Sequence, residues 1–373
     1  MSQKSELKEI AKLFFKLGSI AFGGPAAHIA MMENEVVKKR KWMTQEHFLD
    51  LIGATNLIPG PNSTEMTMHC GQERAGRKGL FVAGFCFIFP AVVITSIFAW
   101  FYQQYGQLPK VEPFIYGIKS AVIAIIVIAA FRLGKKAVKN TEHAILGLIT
   151  LATCLFGVNE IVALFGCGLL GFLIYFFKNN IGNLNSFVPF LVFQASEPLN
   201  IETSKIFLIF SKVGAVLYGS GYVLFAFLNS ELVTNGWLTR QVLIDAVAVG
   251  QITPGPVLST ATFIGWQMHG ITGAIAATIG IFLPSFLFVL ILNPLIPKLR
   301  QSKSIGAILD SINVGAVALI IAVCVEMGKD TLTDWRTIII VVASLIVVFV
   351  FKKMNNAFIV LGGAIIGYLL ILI

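Results

Sequence analysis

The tightest constraint on this chain is a helix breaker placed twice inside apolar sequence: Ile58-Pro59-Gly60-Pro61-Asn62-Ser63-Thr64 and Thr253-Pro254-Gly255-Pro256-Val257-Leu258-Ser259. Each proline lacks an N–H and clashes with the turn before it, so neither stretch continues a helix. The surrounding sequence has membrane-helix character. The chain is 56% hydrophobic with a mean hydropathy of +0.83, and it is 13% charged, where soluble proteins carry about 25%. Backbone broken at membrane depth is tolerated only where protein or a water-filled cavity satisfies the freed groups. Two such breaks at matching places in two halves point to a binding site of the kind transporters build.

The net charge of +9 does not imply nucleic acid in so apolar a chain; Lys and Arg in cytoplasmic loops account for it. Cys70, Cys86, Cys154, Cys167 and Cys324 show no paired spacing and mostly lie in apolar runs, as small buried hydrophobes do. No small-residue cleavage site follows Lys4, Lys8, Lys12 and Lys16, so no cleaved signal peptide is expected. There is no P-loop or dinucleotide fingerprint, and the five histidines lack metal-ligand spacing. The expectation is a chain without cofactor or metal that is not an enzyme.

Apolar segments fall near 8–30, 48–70, 79–103, 113–133, 143–158 and 160–177, and again near 204–229, 242–268, 271–296, 308–328, 336–351 and 355–373. The halves align. Lys16-Leu17-Gly18 matches Lys212-Val213-Gly214, Trp42-Met43-Thr44 matches Trp237-Leu238-Thr239, and Asp50 matches Asp245. Gly76, Gly79, Ala83 and Pro90 fall opposite Gly270, Gly273, Ala277 and Pro284, at an offset of 194 to 196 throughout. An ordered series of this kind is a tandem duplication: a first repeat over 1–178, a linker over 179–203 and a second repeat over 204–373.

Charge orients the repeats. With Lys38-Lys39-Arg40-Lys41 cytoplasmic, the next loop (Arg74, Arg77, Lys78) is basic too, which fits a Pro-Gly-Pro segment that is re-entrant and returns to the same side. Arg132, Lys135, Lys136, Lys139 and Lys178 then lie inside, as do Lys298, Arg300, Lys303, Lys352 and Lys353, while Asn159-Glu160 and His269-Gly270 lie outside. The resulting architecture is an all-α polytopic membrane protein of two inverted repeats, each with about five spans and one re-entrant Pro-Gly-Pro hairpin. It leaves the lysine-rich N-terminus outside, unless the first segment, broken at Gly23-Gly24-Pro25, is also not a simple span.

The chemistry collects at the breaks. Gly60 and Pro61 suit the start of a half-helix, with proline at the first helical position, and its unpartnered N–H groups and dipole favour an oxyanion. Ser63 and Thr64, with Ser259 and Thr260 in the second copy, add hydroxyl donors; Asn62, Pro59, Pro254, Gly255 and Pro256 complete the two tips. Plain packing kinks are the alternative. Phe22-Gly23-Gly24-Pro25 and Tyr218-Gly219-Ser220-Gly221 form a second pair of breaks, able to expose N–H groups or simply to pack closely. Ionisable residues within spans are costly and functional by default. Glu65 lies one turn beyond Pro61 and aligns with Thr260, so one repeat alone carries the acid; it is the first candidate for proton coupling. Asp50 and Asp245 are further coupling candidates, although capping or interfacial roles fit them equally. Lys119 aligns with Asn313 and is a candidate counter-charge for an anion or for Glu65.

Phe22-Gly23-Gly24-Pro25, Asn56-Leu57-Ile58-Pro59-Gly60-Pro61, Gln251-Ile252-Thr253-Pro254-Gly255-Pro256 and the whole-chain duplication resemble the chromate ion transporter family, long two-domain form. The resemblance covers nearly all of the chain. It implies a secondary transporter of the plasma (cell inner) membrane that exports chromate and confers chromate resistance. The residues themselves reach a small or tetrahedral oxyanion, sulfate included, with protons as the coupling ion, the lipid bilayer as surroundings and small-residue helix faces that would allow a homodimer. Tyr218-Gly219-Ser220-Gly221 departs from the second Phe-Gly-Gly of the family. Two other classes stay open: a sulfate-type importer or anion channel, which would raise chromate sensitivity, and a membrane scaffold or lipid enzyme, which would tolerate substitution at Glu65 and the Pro-Gly-Pro pair.

Overall fold

The computed structural model describes residues 3–22, 24–106, 108, 111–179, 202–219, 221–292, 302–351 and 354–372. The first half contains α1 (Gln3–Ile20), α2 (Gly24–Glu33), α3 (Gln45–Thr55), α4 (Asn62–Tyr105), α5 (Glu112–Ala137), α6 (Thr141–Leu155) and α7 (Glu160–Asn179). The second contains α8 (Thr203–Val216), α9 (Val223–Leu228), α10 (Arg240–Ile252), α11 (Thr260–Leu292), α12 (Lys303–Thr331), α13 (Trp335–Val350) and α14 (Asn356–Ile371). A π-helical turn follows α2 (Asn34–Lys39) and α9 (Asn229–Val233). Element by element, the halves correspond, and the described residues contain no strand.

α4 and α11 are each two helices joined at a reversal. The first turns at Ala75 (φ −144°, ψ 27°) and Gly76 (φ 62°, ψ −154°), the second at His269 (φ −150°, ψ 33°) and Gly270 (φ 59°, ψ −146°). A positive φ at Gly76 and Gly270 is what glycine permits at no steric cost. Eight residues of continuous helix rise about 12 Å, yet a methyl on Gly71 would strike the Gly79 carbonyl and one on Gly265 the Gly273 carbonyl. The arms therefore lie back to back, with glycines where they touch. This close backbone approach is how small residues pack helices in membranes. The same device joins α1 to α4 (Gly18 on the Phe87 carbonyl) and α8 to α11 (Gly214 on the Ile281 carbonyl).

The elements before the reversals also fold back. α1 ends at Ile20, and after α2 and its π-turn Arg40 comes within 3.5 Å of Glu9. Thr44 and Thr239 cap α3 and α10, accepting from the N–H groups of His47 (3.2 Å) and Val242 (3.3 Å). His47 at the start of α3 then meets Glu73 at the end of the first arm of α4, at 3.1 Å. Arg74 reaches Glu9 at 3.3 Å, so the start of α1, the π-turn and the first reversal share one end of the molecule. The second reversal lies at the other end of the second arm of α4: Trp266 donates to Gln103 (2.8 Å) and Gln267 to the Ala99 carbonyl (3.0 Å).

Five helical segments among the described residues are long and apolar enough to cross a membrane: Asn62–Tyr105, Glu112–Ala137, Glu160–Lys178, Val257–Ile291 and Lys303–Thr331. Thr141–Leu155, Trp335–Val350 and Asn356–Ile371 are shorter apolar helices. Phe85, Leu148, Ile271, Ile338 and Phe358 are among many large apolar side chains facing outward, an arrangement that a lipid bilayer covers. The chain is a multi-pass membrane protein. Most of the 179–203 linker, and the basic residues Lys298, Arg300, Lys352 and Lys353 used to orient the repeats, lie outside the described residues.

Candidate oxyanion site between the repeats

Both Pro-Gly-Pro stretches are buried, and each glycine has a positive φ: 144° at Gly60 and 87° at Gly255. The decisive contacts run between halves. Gly60 N–H donates to the Leu217 carbonyl at 2.6 Å, and Gly255 N–H donates to the Ala21 carbonyl at 2.9 Å. Leu217 and Ala21 are equivalent positions at the ends of α8 and α1, where the chain breaks. Each tip thus satisfies a carbonyl that the other repeat's broken helix leaves open. His28 Nε2 also lies 3.1 Å from the Ala21 carbonyl.

Pro61 stands one place earlier than the sequence suggests. It caps α4 in an extended conformation (φ −80°, ψ 99°), so Asn62 is the first helical residue. The Gly60 bond to Leu217 holds the chain away from α4 until Pro61. Asn62 donates to Asn56 at 2.9 Å, closing the turn below the tip. Thr64 and Glu65 N–H groups return to the Pro61 carbonyl at 2.8 and 3.0 Å. At the second tip a 3-10 turn, Val257–Ser259, precedes α11.

The side chains at the two tips are dissimilar. A methyl on Gly60 would strike the Glu65 carboxyl and the Ser285 hydroxyl. Glu65, Thr64 and Ser63 are buried, and Ser285, from the second arm of α11, is fully covered. The Ser285 hydroxyl lies beside the Glu65 carboxyl and interacts with it, whereas Thr64 Oγ1 is buried without a hydrogen-bond partner among the described residues. At the second tip Ser259 pairs with Thr95 (3.3 Å), and Thr260 donates to the Val257 carbonyl (2.7 Å). Gly24 (φ 77°) opens α2 with Pro25 behind it, and Gly219 (φ 89°) faces Ala316 and Asn313. Gly221 lies against Val257 and Leu258, whereas Gly23 and Ser220 fall outside the described residues.

Lys119 is placed away from Glu65. Its ammonium sits 3.1 Å from Asp245, and the Tyr102 hydroxyl donates to the other oxygen of Asp245 at 2.6 Å. Asp245 is buried, whereas its counterpart Asp50 is exposed. Two cavities are lined by equivalent helices of the two repeats, α12 in one and α5 in the other. One, about 360 Å³, is lined by Asn56, Leu57, Gly219, Lys136, Lys139, Asp310 and Asn313 among others. The other, about 470 Å³, is lined by Tyr102, Glu112, Lys119, Asp245, Asp330 and neighbours.

The family profile described as Chromate transporter matches residues 8–172 and again 204–368. The chain belongs to the chromate transporter family. It is 30% identical over 372 residues to the chromate transport protein of Cupriavidus metallidurans, covering 97% of this chain and 92% of that one. It is 32% identical over 375 residues to a probable chromate transport protein of Synechococcus elongatus (97% and 95% covered), and 28% identical over 378 residues to an uncharacterized transporter of Methanocaldococcus jannaschii (96% and 93%). No solved structure matches. The two profile matches are the same duplication that the alignment of halves reveals, in the two-domain form of the family.

Within this chromate transporter fold, sequence reasoning missed Ser285, Tyr102 and the two carbonyl acceptors, Leu217 and Ala21. Ser285 adjoins Pro284, itself aligned with Pro90, so the polar-for-Ala91 exchange beside a repeated proline was a usable signal. Tyr102 and the carbonyls carry none, because their partners lie in the other repeat.

Proposed function

We propose that the chain is a secondary active transporter that exports chromate or a related oxyanion in exchange for protons, and so confers chromate resistance at the plasma (cell inner) membrane. The observation that carries this reading is the reciprocal pair Gly60–Leu217 and Gly255–Ala21. It ties each half-helix start to the broken helix of the other repeat, and a helix start held at such a break can take an oxyanion without metal. The resemblance to proteins named for chromate transport supports chromate over other tetrahedral anions.

Contacts at the ends support inverted repeats with re-entrant tips. Both α1–α2 and α3 with the first arm of α4 return to the end they start from, where Lys38, Lys39, Arg40 and Arg74 gather. Taken as cytoplasmic, that end also receives the N-terminal lysines, which removes the charge conflict left by five spans and one hairpin per half. The corresponding end of the second repeat lies across the molecule, with Arg240 at 3.1 Å from Asp330.

Charge supports export. The cavity near Lys136 and Lys139 carries two lysines against Asp310; the other carries Glu112, Asp245 and Asp330 against Lys119, with Arg240 behind Asp330. A basic inner vestibule concentrates anions, and an acidic outer one disfavours their return. Glu65 is the proton carrier in this reading: a carboxyl at the first tip with no ion-pair partner among the described residues. Flux of chromate, sulfate and phosphate in oriented vesicles tests the proposal. Chromate efflux driven by external acid is expected; uptake favoured over efflux, or no flux of any of the three, would overturn it.

A further inference from the structure

The two cavities occupy equivalent places in the repeat. Gly306, Leu309, Asp310 and Asn313 line the inner one; Glu112, Ile115, Tyr116 and Lys119, each 194 residues earlier, line the outer one. The inner cavity continues to Asn56 and Leu57, at the root of the first tip. Gln251 and Ile252, the counterparts of that pair, do not line the outer cavity, which reaches Asp245 and Lys119. Gln251 is instead buried, accepting from Asn356 at 3.1 Å and Tyr222 at 3.3 Å. One vestibule reaches a tip and the other stops about two helical turns short.

At the stopping point Lys119 of α5, Asp245 of α10 and Tyr102 of α4 join three helices through a 3.1 Å ion pair and a 2.6 Å hydrogen bond. Their environment is nearly dry: the Lys119 and Asp245 side chains are 13% and 4% exposed. The inner vestibule lacks this triad: Asn313 stands where Lys119 does, and the ion pair there, Lys139 with Asp310 at 2.7 Å, is far more exposed, at 57% and 34% of the two side chains. Of these two ion pairs, the buried one therefore belongs to the outer vestibule alone.

We propose that Lys119, Asp245 and Tyr102 are the gate of the outer vestibule, and that an outgoing oxyanion opens it by taking the place of Asp245 at Lys119. The exchange conserves the charge balance at Lys119, since one anionic oxygen partner replaces another, and its ammonium offers three donors. Neutralising either partner removes the attraction and leaves the other charge poorly solvated, which favours the open state. The orientation of the gate rests on the transport reading above; the gate itself does not.

Thiol labelling reads the gate without any flux. In the protein with its native cysteines replaced, Ala248→Cys places a thiol one turn deeper than Asp245 on α10. A membrane-impermeant reagent added from the outer face should label it slowly. Asp245→Asn and Lys119→Gln should each raise that rate about tenfold or more, and the swap Lys119→Asp with Asp245→Lys should return it toward the original value. Saturating chromate or sulfate should speed labelling in the parent and leave Lys119→Gln unchanged. Single variants that fold, judged by monodisperse elution, yet label like the parent would overturn the gate, as would a swap that labels like the single variants. Labelling that follows the charge variants but ignores both anions would overturn the exchange at Lys119. Loss of flux with intact gating would instead count against the transport reading alone.

Discussion

At the first tip a methyl on Gly60 would strike the Glu65 carboxyl and the Ser285 hydroxyl; at the second, a methyl on Gly255 would come to 2.7 Å from the Ala91 methyl and 3.1 Å from the Gly18 carbonyl. The backbone is shared, down to the positive φ and the bond to the opposite repeat. Duplication kept the interlock, which needs glycine at both tips, and let the side chains diverge. The second tip has the satisfied hydroxyls of a fixed structural element. The first holds a buried carboxyl facing a serine hydroxyl, and beside them a threonine hydroxyl without a partner among the described residues, which costs about 1–3 kcal/mol. Unspent hydrogen-bonding capacity of that kind is what a passing anion and a proton can use.

The comparison can be broken most severely at the shared part. Gly60→Leu and Gly255→Leu should each reduce chromate flux by about a hundredfold, because the side chain separates the tip from its carbonyl and misplaces the site. If Gly255→Leu transported normally, the interlock would not be reciprocal in function. Smaller effects sharpen the divergence. Asp245→Asn should alter transport about tenfold through the gate, and Asp50→Asn, its exposed counterpart, by less than about twofold; equal effects measured in the same flux assay would remove the asymmetry. Ser285→Ala should change flux about threefold, with a shift in its pH dependence, whereas Ala91→Ser at the satisfied tip should leave pH dependence as it was.

Much of this was legible in the sequence for a local reason. Pro-Gly-Pro breaks a helix wherever it stands, and the aligned Gly76 and Gly270 mark reversals that only a positive φ allows. Thr44 and Thr239 announce the caps of α3 and α10. What could not be read is the pairing between repeats. Lys119 is as plausible a partner for Glu65 as for Asp245 until the fold sets α5 against α10. Pro61 moved by one position for the same reason: the Leu217 carbonyl, 157 residues beyond Gly60 along the chain, holds Gly60 outside the helix. The fold brings together groups with no sequence proximity, and the site is made of such groups.

The central claim is that the first tip alone carries coupling. Efflux of chromate from right-side-out vesicles, with and without an acid exterior, tests it in parent, Glu65→Gln and Thr260→Val. The account predicts that external acid accelerates efflux in the parent and in Thr260→Val, and that Glu65→Gln carries chromate at a rate indifferent to the gradient. A Glu65→Gln protein that still responds fully to external acid would contradict it.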